Sequence, residues 1–579
     1  MVGTKGSDVH TASGVGDPRV ALSALLTRGA ESDLLSSGMR AILSMKTEKN
    51  QNLEDAFVLA FQTRDIRGGK GERKLFDDIF RYLLTQVETQ DIALELLSLI
   101  PHYGCWRDVF ALTSVDTAYE SIMEYCVRQY NEDTKAAAEG KPISLFAKWA
   151  PRESRHSSLD HSLCSALAWR LNPQEKLHSR RLMKYRKGIA TLNKHLKTVE
   201  IAMCGNNFQS IEPASVPGRA LQKYSKAFLN EPSTFTKATN PRPSTDPDRI
   251  QCAEKFSEHF AKAAKGLAKV KGADTVFPHE LIKKIVQNMR RDGYYTNKDD
   301  DLEEDVYTSL SPEEKDSLVA VWNSMVAKAK EGGGLRKSLA MCDFSGSMQS
   351  SGTNGDTPYW VSMAMGLLIS ELTTDEFKDT FMTFDSYPTL HPLPPGDIFE
   401  RVASITSSLC QGTSTDFQKA MDLVLATLKE KRCKCGDEPE YLIVLTDMNW
   451  DAACGSHEAS IYTQNRYRNV VKTDSWQTHV EMIRESFKRA GEDMWGKGQG
   501  WKMPTIVIWN IAATSTDFHA KADTPGVVML SGWSPSLFKV LQTEGIVSWT
   551  PYQALRVQLD DERYDLVREK VRAVLAARE

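Results

Sequence analysis

No apolar run in this chain of 579 residues is long enough to cross a bilayer. The first sixteen residues are rich in Gly and Ser and lack the apolar core of a secretory leader, so they read as a disordered arm. The ten cysteines are sparse, and Cys126, Cys164 and Cys342 lie inside apolar segments, as reduced thiols of an intracellular protein do. A cytoplasmic or nuclear location without a membrane partner is the expectation. Also missing are a phosphate loop, a dinucleotide fingerprint and a Ser/His/Asp order, so no enzymatic activity is expected. There is no clean internal repeat.

What is present is unevenly distributed. Residues 1–336 carry 48 Lys and Arg against 44 Asp and Glu, whereas residues 337–579 carry 24 against 32. Residues 151–300 alone hold 27 cations against 15 acids. A chain of this length needs more than one core.

The most informative stretch is Asp343-Phe344-Ser345-Gly346-Ser347, which follows the short apolar run 338–342. It places one carboxylate and two hydroxyls on a loop leaving the carboxyl end of an expected strand, the edge where open α/β sheets bind ligands. These are hard oxygen donors suited to Mg²⁺. Two further elements follow in order: Gly412-Thr413-Ser414-Thr415-Asp416, and the apolar strand 441–447 ending in Thr446-Asp447. Strands are expected at 338–343, 379–384, 441–447, 505–511 and 526–531, with helices near 358–373, 416–430, 474–490, 535–542 and 560–577. That alternation predicts a doubly wound, mainly parallel sheet.

Together these three elements resemble the von Willebrand factor A domain and its metal-ion-dependent adhesion site, over residues 335–579. The resemblance implies Mg²⁺ (or Mn²⁺ or Ca²⁺) held by Asp343, Ser345, Ser347, Thr415 and Asp447. Thr413 is a rival for Thr415, and the open coordination position would take a carboxylate from a partner. A hydrolytic centre needs a positioned base or a second metal. Asp385 and Asp416 are explained equally well by loop or cap chemistry. Cys433, Cys435, Cys454 and His457 have zinc-like spacing. The strand between the two pairs spans roughly 23 Å, which argues against a shared ion.

Residues 17–334 read as successive amphipathic helices, near 20–26, 52–61, 73–84, 92–100, 118–130 and 159–171, forming a HEAT-like solenoid or irregular array. Lys328 to Gly334 reads as a linker into the second domain. Within the helical region, 63–73 is a basic, glycine-rich turn containing Arg67 and Lys70. His102-Tyr103-Gly104-Cys105-Trp106-Arg107-Asp108 and Lys148-Trp149-Ala150-Pro151-Arg152 are aromatic-basic corners. Each is read either as a helix-terminating staple or as part of a phosphate-contacting rim. Lys176, Arg180, Arg181, Lys184, Arg186, Lys187, Lys194 and Lys197 form the densest cationic stretch, with no acidic residue from 176 to 199. Such a strip favours phosphate contact over base reading.

The 64–73 turn and the Tyr-Gly-x-Trp-x-Asp corner resemble the TROVE module of Ro ribonucleoproteins, whose chains also end in a von Willebrand A domain. The Ala147-to-Pro151 corner, Tyr185-Arg186-Lys187 and the closing 550–565 segment resemble, more closely still, plant, fungal and giant-virus relatives known as a domain of unknown function. The resemblance spans nearly the whole chain. It implies a monomeric helical ring closed by the A domain, binding small structured or non-coding RNA on a basic surface. The competing expectation is a scaffold that holds an acidic protein ligand through the metal, without RNA.

Overall fold

The computed structural model describes residues 10–153, 157–232, 243–291, 310–349, 356–384, 387–408, 417–448, 476–513, 518–543 and 549–579. The chain forms two compact units, and each is assembled from separated segments. One comprises Met1–Ala41 and Lys262–Asp560; the other comprises Ile42–Ala261 and Asp561–Glu579.

The first unit is built on a six-stranded sheet: β1 Ser338–Asp343, β2 Thr380–Phe384, β3 Leu390–Pro392, β4 Tyr441–Thr446, β5 Thr505–Asn510 and β6 Val527–Ser531. The order is β3-β2-β1-β4-β5-β6. All neighbouring pairs are parallel except β2 and β3. Every residue of β1, β4, β5 and β6 is buried, which is why these strands read as continuous apolar runs rather than alternating ones. β3 was not expected from sequence. It has three residues and ends in Pro392, which is tolerated because this strand lies at the sheet edge.

The helix Pro358–Leu372 packs on β1 and β2. Gly366 permits the approach, because a Cβ there would lie 2.4 Å from Cys342 Sγ and 2.8 Å from the Phe381 ring. An amino-terminal helix, Pro18–Leu25, belongs to the same unit. Asn510 Nδ2 donates to Ala24 O at 3.0 Å, and Ser531 Oγ donates to Leu26 O at 3.0 Å. Side chains at the ends of β5 and β6 thereby satisfy carbonyls that a helix end leaves unpaired.

The domain boundaries expected from sequence need correction. Residues 1–16 are not wholly a disordered arm. His10 and Phe518 exchange backbone hydrogen bonds of 2.8 and 3.1 Å, Ala522 N donates to Val15 O at 2.9 Å, and Val15 is buried. Residues 328–334 are not a free linker. The helix Pro312–Glu331 takes in the first four of them, and Gly333 and Gly334 follow with φ of 112° and 63° as the chain turns out of it. Leu335 N then bonds Leu372 O at 3.1 Å, and Gln542 Nε2 donates to Gly334 O at 2.9 Å.

The second unit is helical. The expected helices are observed as Lys49–Arg64, Arg73–Thr85, Gln90–Glu95, Tyr119–Ala138 and Ser158–Leu171, among others. The closing helix, Asp565–Arg578, was expected in the sheet domain but packs in this unit against Lys49–Arg64. Val567 and Val571 are buried, Arg572 pairs with Glu54 at 2.7 Å, and Lys570 pairs with Glu95 at 2.9 Å. Arg578 pairs with Asp91 at its end.

Candidate metal centre and candidate nucleic-acid interface

Parallel pairing of β1 with β4 brings Asp343 and Thr446-Asp447 to one sheet edge. Asp343 and Asp447 are fully buried, Ser345 is buried, and Ser347 is half-buried. Asp343 Oδ1 accepts from Ser345 N at 2.9 Å, and its Oδ2 accepts from Thr446 Oγ1 at 3.0 Å. The Ser345 and Ser347 hydroxyls lie 3.0 Å apart. Burial, and then the Asp447 carboxylate, push the Asp343 pKa up to about 7, against the hydrogen bonds from Ser345 and Thr446. Two buried carboxylates on one sheet edge, beside two paired hydroxyls, make an all-oxygen set whose chemistry fits a hard divalent cation.

Four of the five expected ligands therefore share one edge. Thr415, its rival Thr413 and Asp416 lie outside the described residues, as do Asp385, Cys454 and His457. No cluster of three His, Cys, Asp or Glu side chains occurs among the described residues, so the hydroxyls carry much of any such site. Thr446 was named from sequence only as part of its strand's end, not among the expected site residues. Its place before a strand-terminal Asp, beside the Asp343 loop, is the signal that would have found it.

The cationic stretch forms the helix His178–His195. Leu182, Tyr185, Ile189, Leu192 and Asn193 are its buried face. Tyr185 Oη donates to Pro151 O at 2.9 Å, and Asn193 Nδ2 donates to Ala147 O at 2.8 Å. The Lys148-to-Arg152 corner is thus a dock for this helix. Arg180, Lys184, Lys187 and Lys194 recur at spacings of four, three and seven on the opposite, exposed face. Lys176, Arg186 and Lys197 are also exposed, whereas Arg181 is half-buried. Lys184 pairs with Glu175, and Arg186 pairs with Glu153 at 2.9 Å. Arg180, Lys187 and Lys194 make no ion pair among the described residues.

The glycine-rich turn is different. Lys70 is 1% exposed, so it cannot reach an external phosphate as the sequence reading expected. Burial pushes its ammonium pKa down to about 7, with Glu72 opposing. The turn folds inward because Lys70 N donates to Gln62 O at 2.9 Å and Glu72 N donates to Thr63 O at 2.8 Å. Gly69 is required there, since a Cβ would lie 1.9 Å from Gln62 O. Arg67 remains exposed.

The turn forms a socket. Buried Asp65 accepts from Arg67 N at 3.0 Å, from Arg563 Nη2 at 2.8 Å and from Tyr564 Oη at 3.3 Å. Tyr103 stacks on Tyr564 with centroids 5.6 Å apart and donates to Arg563 O at 2.7 Å. The neighbouring corner is also structural: Asp108 binds Arg64 at 2.7 Å and Arg73 at 2.8 Å, over a Gly104 that has no room for a Cβ.

Comparison with known proteins gives matches to both regions. Residues 337–575 match the family model described as Domain of unknown function (DUF7788), and residues 118–237 match Domain of unknown function (DUF2828). The latter segment contains the cationic helix. The "Uncharacterized protein L728" of Acanthamoeba polyphaga mimivirus is 24% identical over 514 residues, covering 85% of this chain and 77% of its own. Among solved structures, the Ro (RSR) protein of Deinococcus radiodurans aligns over 91% of this chain and 99% of its own, at 13% identity and a TM-score of 0.38.

Proposed function

We propose that this chain is a non-enzymatic RNA-binding protein that grips the phosphates of a small structured or non-coding RNA with the helix His178–His195. The observation that carries the reading is that helix's outward face, where Arg180, Lys187 and Lys194 stand exposed and make no ion pair among the described residues. Cations on a fixed helical face neutralise successive phosphates and release counterions, a contact that holds a backbone without reading bases. The Asp343 edge is the accompanying Mg²⁺ site, with Asp343, Ser345, Ser347 and Asp447 as its holders. The cation would relieve the Asp343–Asp447 repulsion. The protein acts as a monomer in the cytoplasm or nucleus.

The test is sequencing of RNA that co-purifies from native cells, for the unaltered protein and for an R180E/K187E/K194E variant. A discrete RNA lost in the variant supports the reading; RNA retained equally by the variant refutes it. Binding should also weaken steeply with salt, and each removed phosphate contact should lower the salt slope by about one.

A second reading is favoured by the convergence of Asp343, Ser345, Ser347 and Asp447: a scaffold holding an acidic protein residue through Mg²⁺. It predicts that Asp343→Ala abolishes partner capture and that the triple reversal leaves it intact.

A further inference from the structure

At the amino end of β5, on the sheet edge opposite Asp343, lies a groove of 440 Å³. One wall is the helix Trp476–Trp495, which presents Arg484 and Lys488 one turn apart. The other wall is the 498–504 loop, which contributes Lys502. Two glycines seat the loop on the helix. A Cβ on Gly491 would lie 2.4 Å from Trp501 N, and one on Gly500 would lie 2.8 Å from Lys488 O. Trp501 is buried there, its Nε1 donating to Cys433 O at 3.1 Å.

Four observations point to an anionic ligand in this groove. Arg484, Lys488 and Lys502 make no ion pair among the described residues, although they stand in the acidic half of the chain. Arg484 and Lys488 are like charges at i,i+4, an arrangement that disfavours a helix unless an anion lies between them. The groove's one carboxylate, Glu492, already accepts from Gly498 N at 3.1 Å. Finally, Thr505 is 3% exposed and lines the groove, and its hydroxyl has no hydrogen-bond partner.

We propose that this groove binds a small phosphate ester, its phosphate held by Arg484, Lys488 and Lys502 and its organic body lying along Met503 and Pro504. Three convergent cations match a dianionic group. The volume falls in the range of small-molecule sites, and the mixed apolar and cationic lining distinguishes the groove from an open basic surface. The site stands independently of the RNA-binding helix, in the other unit of the chain.

The experiment is calorimetric titration of the full-length protein with phenyl phosphate, with phenol and chloride at matched ionic strength as controls. Saturable binding of phenyl phosphate alone is expected, weakened at least tenfold in R484A/K488A/K502A and unchanged in R180E/K187E/K194E. All three replaced groove residues are exposed, so the fold should survive; the single K502E variant, expected to weaken binding at least threefold, provides a check. No saturable binding, equal binding of chloride, or undiminished affinity in the triple variant would overturn the proposal. A 5′-phosphorylated oligonucleotide binding in place of phenyl phosphate would also overturn it, by naming an RNA end as the source of the phosphate.

Discussion

Replacing Arg563 by Ala should detach the closing helix from the helical unit. Arg563 puts its guanidinium on the buried Asp65 carboxylate, and hydrogen bonding to that carboxylate, its largest influence, raises the Arg563 pKa. Removing one partner of a buried pair costs about 3–5 kcal/mol, because the other charge stays behind unpaired. Asp65 would keep its bonds from Arg67 N and Tyr564 Oη, and the Arg563 side chain is 25% exposed. The lower end, about 3 kcal/mol, is therefore expected. At about 1.4 kcal/mol per decade, amides of Asp565–Arg578 should exchange with deuterium roughly a hundredfold faster. Arg578→Ala is the control. Its side chain is 35% exposed and that of Asp91 is 52% exposed, so that pair should contribute about 1 kcal/mol or less. Hydrogen exchange read by mass spectrometry at matched pH gives both values. If R563A accelerates exchange no more than R578A does, the socket is not what holds the helix.

Gly69→Ala should destabilise the same turn by about 3 kcal/mol, measured by urea unfolding of the full chain, because the obstacle is backbone rather than a movable side chain. Lys70 gives a pH signature. Its folded pKa of about 7 lies below the ordinary lysine value of 10.5, so the unfolded chain binds more protons between those values and stability rises with pH across that window. Lys70→Met should flatten that rise; an unchanged slope would assign it to another group. Mg²⁺ at a hundred times its dissociation constant should stabilise the protein by about 2.7 kcal/mol in thermal unfolding, and Asp343→Ala should abolish the gain.

The sheet and its edge were legible because both signals are local. Four buried strands read as apolar runs, and Asp343, Ser345 and Ser347 are placed by one loop of five residues. The cationic stretch was legible from composition, because no acidic residue interrupts 176–199, and helical periodicity sorts its side chains between the two faces. That periodicity explains the half-buried Arg181, which lies one turn before buried Tyr185. What the sequence hid is long-range. An amphipathic closing helix announces that it has a buried face, but not which unit will cover it. Gly-Lys-Gly-Glu-Arg has the composition of a surface turn, and only hydrogen bonds back to Gln62 and Thr63 draw Lys70 inside. Two of the segments that carried the resemblance, the glycine turn and the 563–565 segment, meet in one contact.

The Asp65 socket also sets a schedule for synthesis. Its two halves are separated by 498 positions, so at ribosomal rates of about 5–20 residues per second the socket waits roughly 25–100 s for Arg563 to emerge. Throughout that interval the aromatic surface around Tyr103 lacks its Tyr564 cover. A nascent chain stalled anywhere before Arg563 would present an unfinished helical unit to chaperones and proteases, however complete its sheet.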